Sequence, residues 1–280
     1  MTLIIKKETH GKNIHKFVIK SPLIARKTKP GQFVVIRAFE NAERIPITIS
    51  DTDRDNGTIT LFIQEVGTST SKIGTLKEGE SFLDIAGPLG RPAHIENVGS
   101  VITIGGGVGS AITYPETKAY KNAGNYVVSI MGFRSRENII LENEMKKVAD
   151  EVYITTDDGT YGERGFVSDK LKEIIGRGGK IDEVLVIGPA IMMKVVSDIT
   201  KEYKIKTIAS LNSIMVDGTG MCGACRVEVG GKTKFACVDG PEFDAHEVDF
   251  DLLMKRINMY SDEEKESLDK FKKRQNNGEK

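Results

Sequence analysis

Near residue 99 the chain changes texture, and that change restricts its architecture more than any other feature. Before it, short segments rich in Val, Ile, Thr and Phe follow one another closely: "HKFVIKSP", "GQFVVIRAF", "RIPITISD", "GTITLFIQEV" and "SFLDIAGPLG". Gly, Pro and Asn/Asp turn signals separate them, and helical periodicity is scarce. This pattern predicts an antiparallel β-barrel over residues 1–98. After it, the apolar strand "SVITIGGGVG" runs into glycines, and a helix is expected from about Pro115 to Asn122. There follow the strand "NYVVSIMGF", the helix "ENIILENEMKKVAD", the strand "EVYITTDDG", the helix "VSDKLKEIIGRG", the strand "DEVLVIGP", the helix "AIMMKVVSDITKEY" and the strand "KTIASLN". Strands alternating with helices predict a parallel α/β domain over 99–205. Residues 206–250 form a small third unit around the cysteines. The stretch 251–280 reads as a helical tail, with Ser261 as N-cap, Glu264 in capping-box position and a polar end that frays. The expected fold class is thus multidomain, β plus α/β, with a small C-terminal unit.

A chain of 280 residues suits two or three domains better than one core. With 39% hydrophobic and 29% charged residues it has the composition of an ordinary soluble protein. Its formal net charge is zero, so nothing favours nucleic acid or an anionic membrane surface. No apolar run approaches the ~18 residues of a membrane span. The opening "MTLIIKKETH" lacks the apolar stretch of a secretory signal, so a cytoplasmic location is expected. Three cysteines do not make a disulfide framework; in a reducing compartment such a pattern binds metal or does redox chemistry.

"GGGVGSA", Gly105 to Ala111, stands where an apolar strand meets a helix. Glycines there let the backbone turn tightly and approach a pyrophosphate at the helix N-terminus. The bland alternative is a plain strand-to-helix turn. The pattern departs from G-x-G-x-x-G, because Ser110 takes its last position. The acidic residue expected about 20 positions on is absent, and Arg134 and Arg136 close the second strand instead. "RIPITIS", Arg44 to Ser50, joins a cation to a proline-stiffened strand, and "GPLG" begins with Gly87 and Pro88. Taken alone, each is an ordinary strand or turn.

All three cysteines fall in "DGTGMCGACRVEVGGKTKFAC". The plant-type 2Fe–2S spacing is C-x4-C-x2-C…C. Here the frame is Asp217-x4-Cys222-x2-Cys225-x11-Cys237, with an aspartate in the first ligand slot. A carboxylate binds iron through oxygen, as a harder ligand than thiolate. Other readings are a zinc site completed by His246, a thioredoxin-like pair of Cys222 and Cys225, or three buried free thiols. His10, His15, His94 and His246 show no metal spacing or triad signature, and read as surface or satisfied core residues.

In their order along the chain, these motifs resemble the ferredoxin–NADP reductase superfamily. The likeness spans roughly residues 1–250 and is strongest to two related groups. One is the electron-transfer subunit of dihydroorotate dehydrogenase. The other, pointed to by Asp217 and by "PEFDAHEVDFDLLMKR" after the cysteines, is the small subunit of NADH-dependent reduced ferredoxin:NADP oxidoreductases, which are electron-bifurcating transhydrogenases.

The resemblance implies an FAD-binding barrel, a nicotinamide-nucleotide α/β domain and a 2Fe–2S unit. Arg44, Pro46, Ile47 and Thr48 match the flavin-binding strand. Gly67 and Thr70 match the loop over the flavin phosphates, with Ser69 where the family often has a second glycine. Gly87 and Pro88 belong to the same pattern. Gly106, Gly107, Val108 and Gly109 match the nucleotide loop. Asp157, Asp158, Gly188, Pro189 and Met192 match segments lining that cleft, and Arg134 and Arg136 belong to it. Asp217, Cys222, Cys225 and Cys237 would ligate the cluster. The implied cofactors are FAD, 2Fe–2S and NAD(H), with NADP(H) an open alternative because of the two arginines. The implied partner is a large subunit carrying another FAD and 4Fe–4S clusters, with ferredoxin reached through it. In the dihydroorotate dehydrogenase subunit the first ligand would normally be cysteine. A reading from another class, a zinc-stabilised non-catalytic binding protein, stays open at this point.

Overall fold

The structure, a computed structural model, describes residues 2–276. The polar end expected over 277–280 lies outside the described residues. Strands β1 (Thr2–His10), β2 (Ile14–Lys20), β3 (Phe33–Arg37), β4 (Ile45–Asp53), β5 (Thr58–Gln64), β6 (Ser81–Phe82) and β7 (Asp84–Leu89) form one antiparallel sheet. Its order is β6-β1-β2-β5-β4-β3-β7. The two edge strands are consecutive in the chain, separated only by Leu83. The sheet therefore curls into a nearly closed barrel around Ile4, Phe17, Ile19, Val34, Ile36, Ile59 and Leu61. Two short helices connect its strands, α1 (Pro22–Lys27) and α2 (Thr68–Gly74).

The second sheet is built from β8 (Ser100–Gly106), β9 (Tyr126–Phe133), β10 (Glu151–Thr156), β11 (Glu163–Arg164), β12 (Glu183–Ile187) and β13 (Lys206–Ser210), all parallel. Between them run helices α3 (Gly109–Asn122), α4 (Glu142–Met145), α5 (Val167–Gly176) and α6 (Ala190–Glu202). The chain then makes a hairpin of β14 (Arg226–Val229) and β15 (Lys232–Phe235), the turn of helix α7 (Ala236–Asp239), and β16 (Glu242–Asp244), which pairs antiparallel with β13. The sheet order is β11-β10-β9-β8-β12-β13-β16. β13 and β16 both fall within residues 206–250, so that stretch is hydrogen-bonded into the α/β sheet.

Helices α8 (Phe250–Ile257) and α9 (Ser261–Asn276) end the described chain. Ser261 is the first residue of α9 rather than its cap. α9 reaches back to the barrel: Thr68 Oγ1 and Ser267 Oγ are 2.9 Å apart, and Lys72 Nζ lies 5.9 Å from the Phe271 ring centre. No helix among the described residues is long and apolar enough to cross a membrane.

Two helix expectations need correcting. α3 starts at Gly109, straight from the glycine loop, and contains Pro115 in its interior. Proline there removes one ladder N–H without ending the helix. The helix expected over "ENIILENEMKKVAD" shrinks to a 3-10 turn at Arg136–Asn138 and the four residues of α4. Leu141 has φ +56, a left-handed conformation that breaks the helix, and Ile140 is buried in the core beside Met131 and Phe133.

Candidate redox site

The second sheet sets up a crevice by its topology. β8 lies between β9 and β12, so successive connections leave it in opposite directions. Ligands bind at such a switch point, outside the carboxyl ends of the strands. There the loop after β8 touches the loop after β12. A Cβ at Gly106 would stand 2.5 Å from Met192 Sδ and 3.0 Å from Pro189 Cδ. One at Gly188 would stand 3.1 Å from Gly106 Cα, and one at Gly109 would strike the Ile187 carbonyl oxygen. The glycines are therefore fixed by two backbones in contact. Gly107 faces open space, and Val108 leads into α3. Gly106–Gly109, Gly188, Pro189 and Met192 are thus brought together around a helix N-terminus, which favours a phosphate.

Across β9 from β8, Arg134 and Arg136 are exposed. The Arg136 guanidinium sits 5.5 Å from the Tyr161 ring centre, and its backbone N–H donates to Thr160 Oγ1 at 2.9 Å. Asp157 N–H donates to Phe133 O at 3.0 Å, and Asp158 N–H to Arg134 O at 3.3 Å. Both acids therefore adjoin the arginine segment. Thr160 donates to Asp158 Oδ1 from its hydroxyl (2.7 Å) and its N–H (2.9 Å). Those bonds hold the Asp158 carboxyl below the usual carboxylate range.

In the barrel, β4 changes partner at Ile49. Ile45, Pro46, Ile47 and Thr48 pair with β3 alone, and β5 joins at Ile49. That leaves a half-buried strand with a free backbone edge, beginning beside the exposed Arg44. α2 borders the loop before it, across a cavity of about 130 Å³ lined by Ala42, Glu43, Thr68 and Ser69 among others. Thr70 Oγ1 accepts from the N–H of Val66 (2.9 Å) and of Gly67 (3.1 Å), and the space over Gly67 is open. Ser69 donates to the Glu43 carboxylate. Gly87 and Pro88 lie on β7, across β3 from this edge.

The cysteine loop falls into two pairs. Asp217 Oδ1 accepts from Thr219 N–H at 2.7 Å and Oδ2 from Cys222 N–H at 2.9 Å, which holds its carboxyl below the usual range. Cys225 and Cys237 are buried with their Sγ atoms 3.2 Å apart. Burial and the adjoining Cys225 thiol push the Cys237 thiol up to about 12. Among the described residues, no group of three or more His, Cys, Asp or Glu is gathered to hold one metal ion. His246, the candidate fourth zinc ligand, instead meets Thr200 Oγ1 at 3.0 Å. Cys222 and Cys225 stand in a loop that enters a strand, so they do not open a helix as a thioredoxin-like pair would. Two ligands on each of two irons is the demand of a 2Fe–2S cluster. The pairs Asp217/Cys222 and Cys225/Cys237 fit it.

The loop is seated on the barrel. Gly218 has φ +75, and a Cβ there would stand 2.8 Å from Leu89 Cδ1 and 2.9 Å from Val35 Cγ2. Glycine is needed on both counts, conformation and space.

Residues 212–249 match the iron-sulfur cluster binding domain of dihydroorotate dehydrogenase B. Over 270 residues, 96% of this chain and 95% of the relative, the sequence is 46% identical to the dihydroorotate dehydrogenase B (NAD(+)) electron transfer subunit homolog of Thermotoga maritima. This chain belongs to the dihydroorotate dehydrogenase B electron-transfer subunit family. The family's subunit from Fusobacterium nucleatum is 31% identical over 86% of this chain and 95% of its own length. A chain from the NADH-dependent reduced ferredoxin-NADP oxidoreductase structure superposes with a TM-score of 0.92 at 44% identity, covering 97% of this chain and 98% of that one. As a family member the protein is an oxidoreductase subunit for electron transfer. The resemblance read from the motifs is borne out, as is the fold class of antiparallel barrel, parallel α/β sheet and C-terminal iron–sulfur binding segment.

One feature had no sequence signal. Glu116, in the polar run "PETKAYK", reads as a solvated helix face, yet it is fully buried.

Proposed function

We propose that this chain is the small subunit of a cytoplasmic, flavin-based, electron-bifurcating NADH-dependent ferredoxin:NADP oxidoreductase. It carries FAD and one 2Fe–2S cluster and links NAD(H) to a larger subunit holding a second FAD and 4Fe–4S clusters. Flavin exchanges hydride with the nicotinamide and single electrons with iron–sulfur centres. The protein's part is to bind, space and tune these groups.

The observation that carries the reading is the contact of Gly218 with Val35 and Leu89. Val35 pairs with Pro46 across β3 and β4. The cysteine loop and the free-edged strand therefore share one wall of the barrel, as a short electron path requires. In this assignment residues 1–98 bind FAD, with Arg44 toward the pyrophosphate. Pro46, Ile47 and Thr48 offer their free edge to the ring, Gly67 and Thr70 cover the phosphates, and Gly87 and Pro88 complete the wall. Residues 99–205 bind the nucleotide through Gly106, Gly107, Val108, Gly109, Gly188, Pro189 and Met192. Residues 206–250 hold the cluster through Asp217, Cys222, Cys225 and Cys237, with β13 and β16 anchoring them to the sheet. The described part of the tail assigned to 251–280 is helical, through α8 and α9.

NAD(H) is the nucleotide of this subunit. Arg134 and Arg136 would welcome a 2′-phosphate. Asp157 and Asp158 adjoin them, and that local negative charge disfavours the extra phosphate. The test is an anaerobic titration of the reconstituted chain with NADH and with NADPH. The expected result is flavin bleaching by NADH, together with the EPR signal of a reduced 2Fe–2S cluster. A clear preference for NADPH overturns the nucleotide assignment, and a chain that retains neither flavin nor iron overturns the reading as a whole. Reduction of a co-purifying partner by dihydroorotate would favour the dihydroorotate dehydrogenase subunit instead.

A further inference from the structure

Glu116 lies in α3 with no exposure to solvent, and no donor among the described residues reaches either of its carboxyl oxygens. Opposite it, from β16, stands Glu242, whose Oε1 is also buried without a donor. The two carboxyl groups are within hydrogen-bonding reach of each other. Carboxylates are acceptors only, so a bond between the two exists only when one of them carries a proton. An isolated buried carboxylate costs far more than its protonation.

Among the described residues, the surroundings supply no counter-ion. α3 also presents Tyr120, whose hydroxyl donates to Glu183 of β12, and Lys206 of β13 pairs with the same Glu183 at 2.5 Å. That lysine is therefore engaged, and Glu183 adds a second source of negative potential. On the barrel side Glu242 Oε1 lies over Gly31, 2.6 Å from where a side chain would begin. Burial raises both carboxyls above the usual carboxylate range.

We propose that Glu116 and Glu242 share a single proton and form a proton-binding site that clasps α3, β16 and the Gly31 loop of the barrel together. Proton loss leaves two facing negative charges. Glu116 cannot turn to water, whereas Glu242 is only half-buried and can. Its departure loosens the segment around it, which Arg91 N–H holds to Gly240 O at 2.7 Å and Leu211 N–H holds to Pro241 O at 2.9 Å. The site uses no residue assigned to a cofactor.

Hydrogen exchange of the full chain, read over residues 89–93 and 240–244 and corrected for the intrinsic pH dependence, tests the clasp. Wild type should exchange roughly tenfold faster there on the alkaline side, the factor one pKa unit represents. Glu116→Gln supplies a permanent amide donor to Glu242 and should abolish the increase. Infrared difference spectra across the same pH range should show the loss of a protonated-carboxyl band in wild type only. Should Glu116→Gln fail to fold, Glu242→Gln carries the same expectation. Equal corrected exchange in wild type at both pH values, or an undiminished increase in a folded glutamine variant, overturns the proposal.

Discussion

At the scale of single residues, Asp217 carries the sharpest expectation. Its carboxylate holds the loop through Thr219 and Cys222 N–H groups, so a structural and a ligand role must be separated. Asp217→Cys should retain a 2Fe–2S cluster with altered EPR and potential, because thiolate is the softer donor. Asp217→Ala should lose iron. Asp217→Asn keeps an acceptor oxygen for the loop, so a normal fold with a changed EPR signal isolates the ligand role. Unchanged EPR, potential and iron content in Asp217→Ala would remove Asp217 from the ligand set. The Glu116–Glu242 pair makes a second expectation, on stability. The folded chain holds a proton that the unfolded chain releases above about pH 4. Stability is therefore lost as pH rises from there through the raised folded values of the pair. Between about pH 5 and pH 8, urea midpoints should fall in wild type by more than in Glu116→Gln. The difference should be on the order of 1–3 kcal/mol, and parallel curves would contradict it.

At the scale of elements, the two glycine loops should answer differently to the same substitution. A Cβ at Gly109 strikes the Ile187 carbonyl, which belongs to β12 and cannot rotate away. Gly109→Ala should cost roughly 1–3 kcal/mol in urea unfolding, the range for forced overpacking. Gly106→Ala first meets Met192, a flexible side chain. It should cost less, and Met192→Ala should recover part of the loss. Equal costs at both positions would mean that the contact between the loops is looser than it stands here. The same elements show what a sequence makes legible. Strands β2–β5, β8–β10, β12 and β13 carry runs of Val and Ile and are readable, whereas β11, the dipeptide Glu163–Arg164, has no such signal. β1 was not, because "KKETH" interrupts its apolar face. β16 has three residues and pairs only because β13 lies beside it. The 137–150 segment has helical composition, but burial of Ile140 overrides propensity. Within the site, the Asp217 frame was visible as a spacing. The free edge of Ile45–Thr48 and the seat of Gly218 on Val35 were not, since both depend on where the barrel pairing stops and what packs on it.

At the scale of the molecule, one chain supplies one cysteine frame and one glycine-rich nucleotide crevice. In the proposed assignment the three cysteines serve a single cluster, so electrons delivered singly through Asp217–Cys237 need a source or sink elsewhere. The loop's outer surface is consistent with a partner: Met221 is 84% exposed and Val216 52%, an apolar pair flanking the ligand positions. The subunit assignment therefore predicts a division of activity. The reconstituted single chain should oxidise NADH with an artificial one-electron acceptor, since crevice, barrel and cysteine loop are all present in it. It should not reduce ferredoxin at the expense of NADPH, because that coupling needs a second nucleotide site and further clusters, which this sequence does not supply. Adding the large subunit from the native source should restore the coupled reaction, and the two should co-purify. A cofactor-replete single chain that couples NADPH to ferredoxin by itself refutes the subunit role. A chain that oxidises NADH yet elutes from native extracts as a monomer, with no second flavoprotein, points to an electron-transfer protein of another assembly.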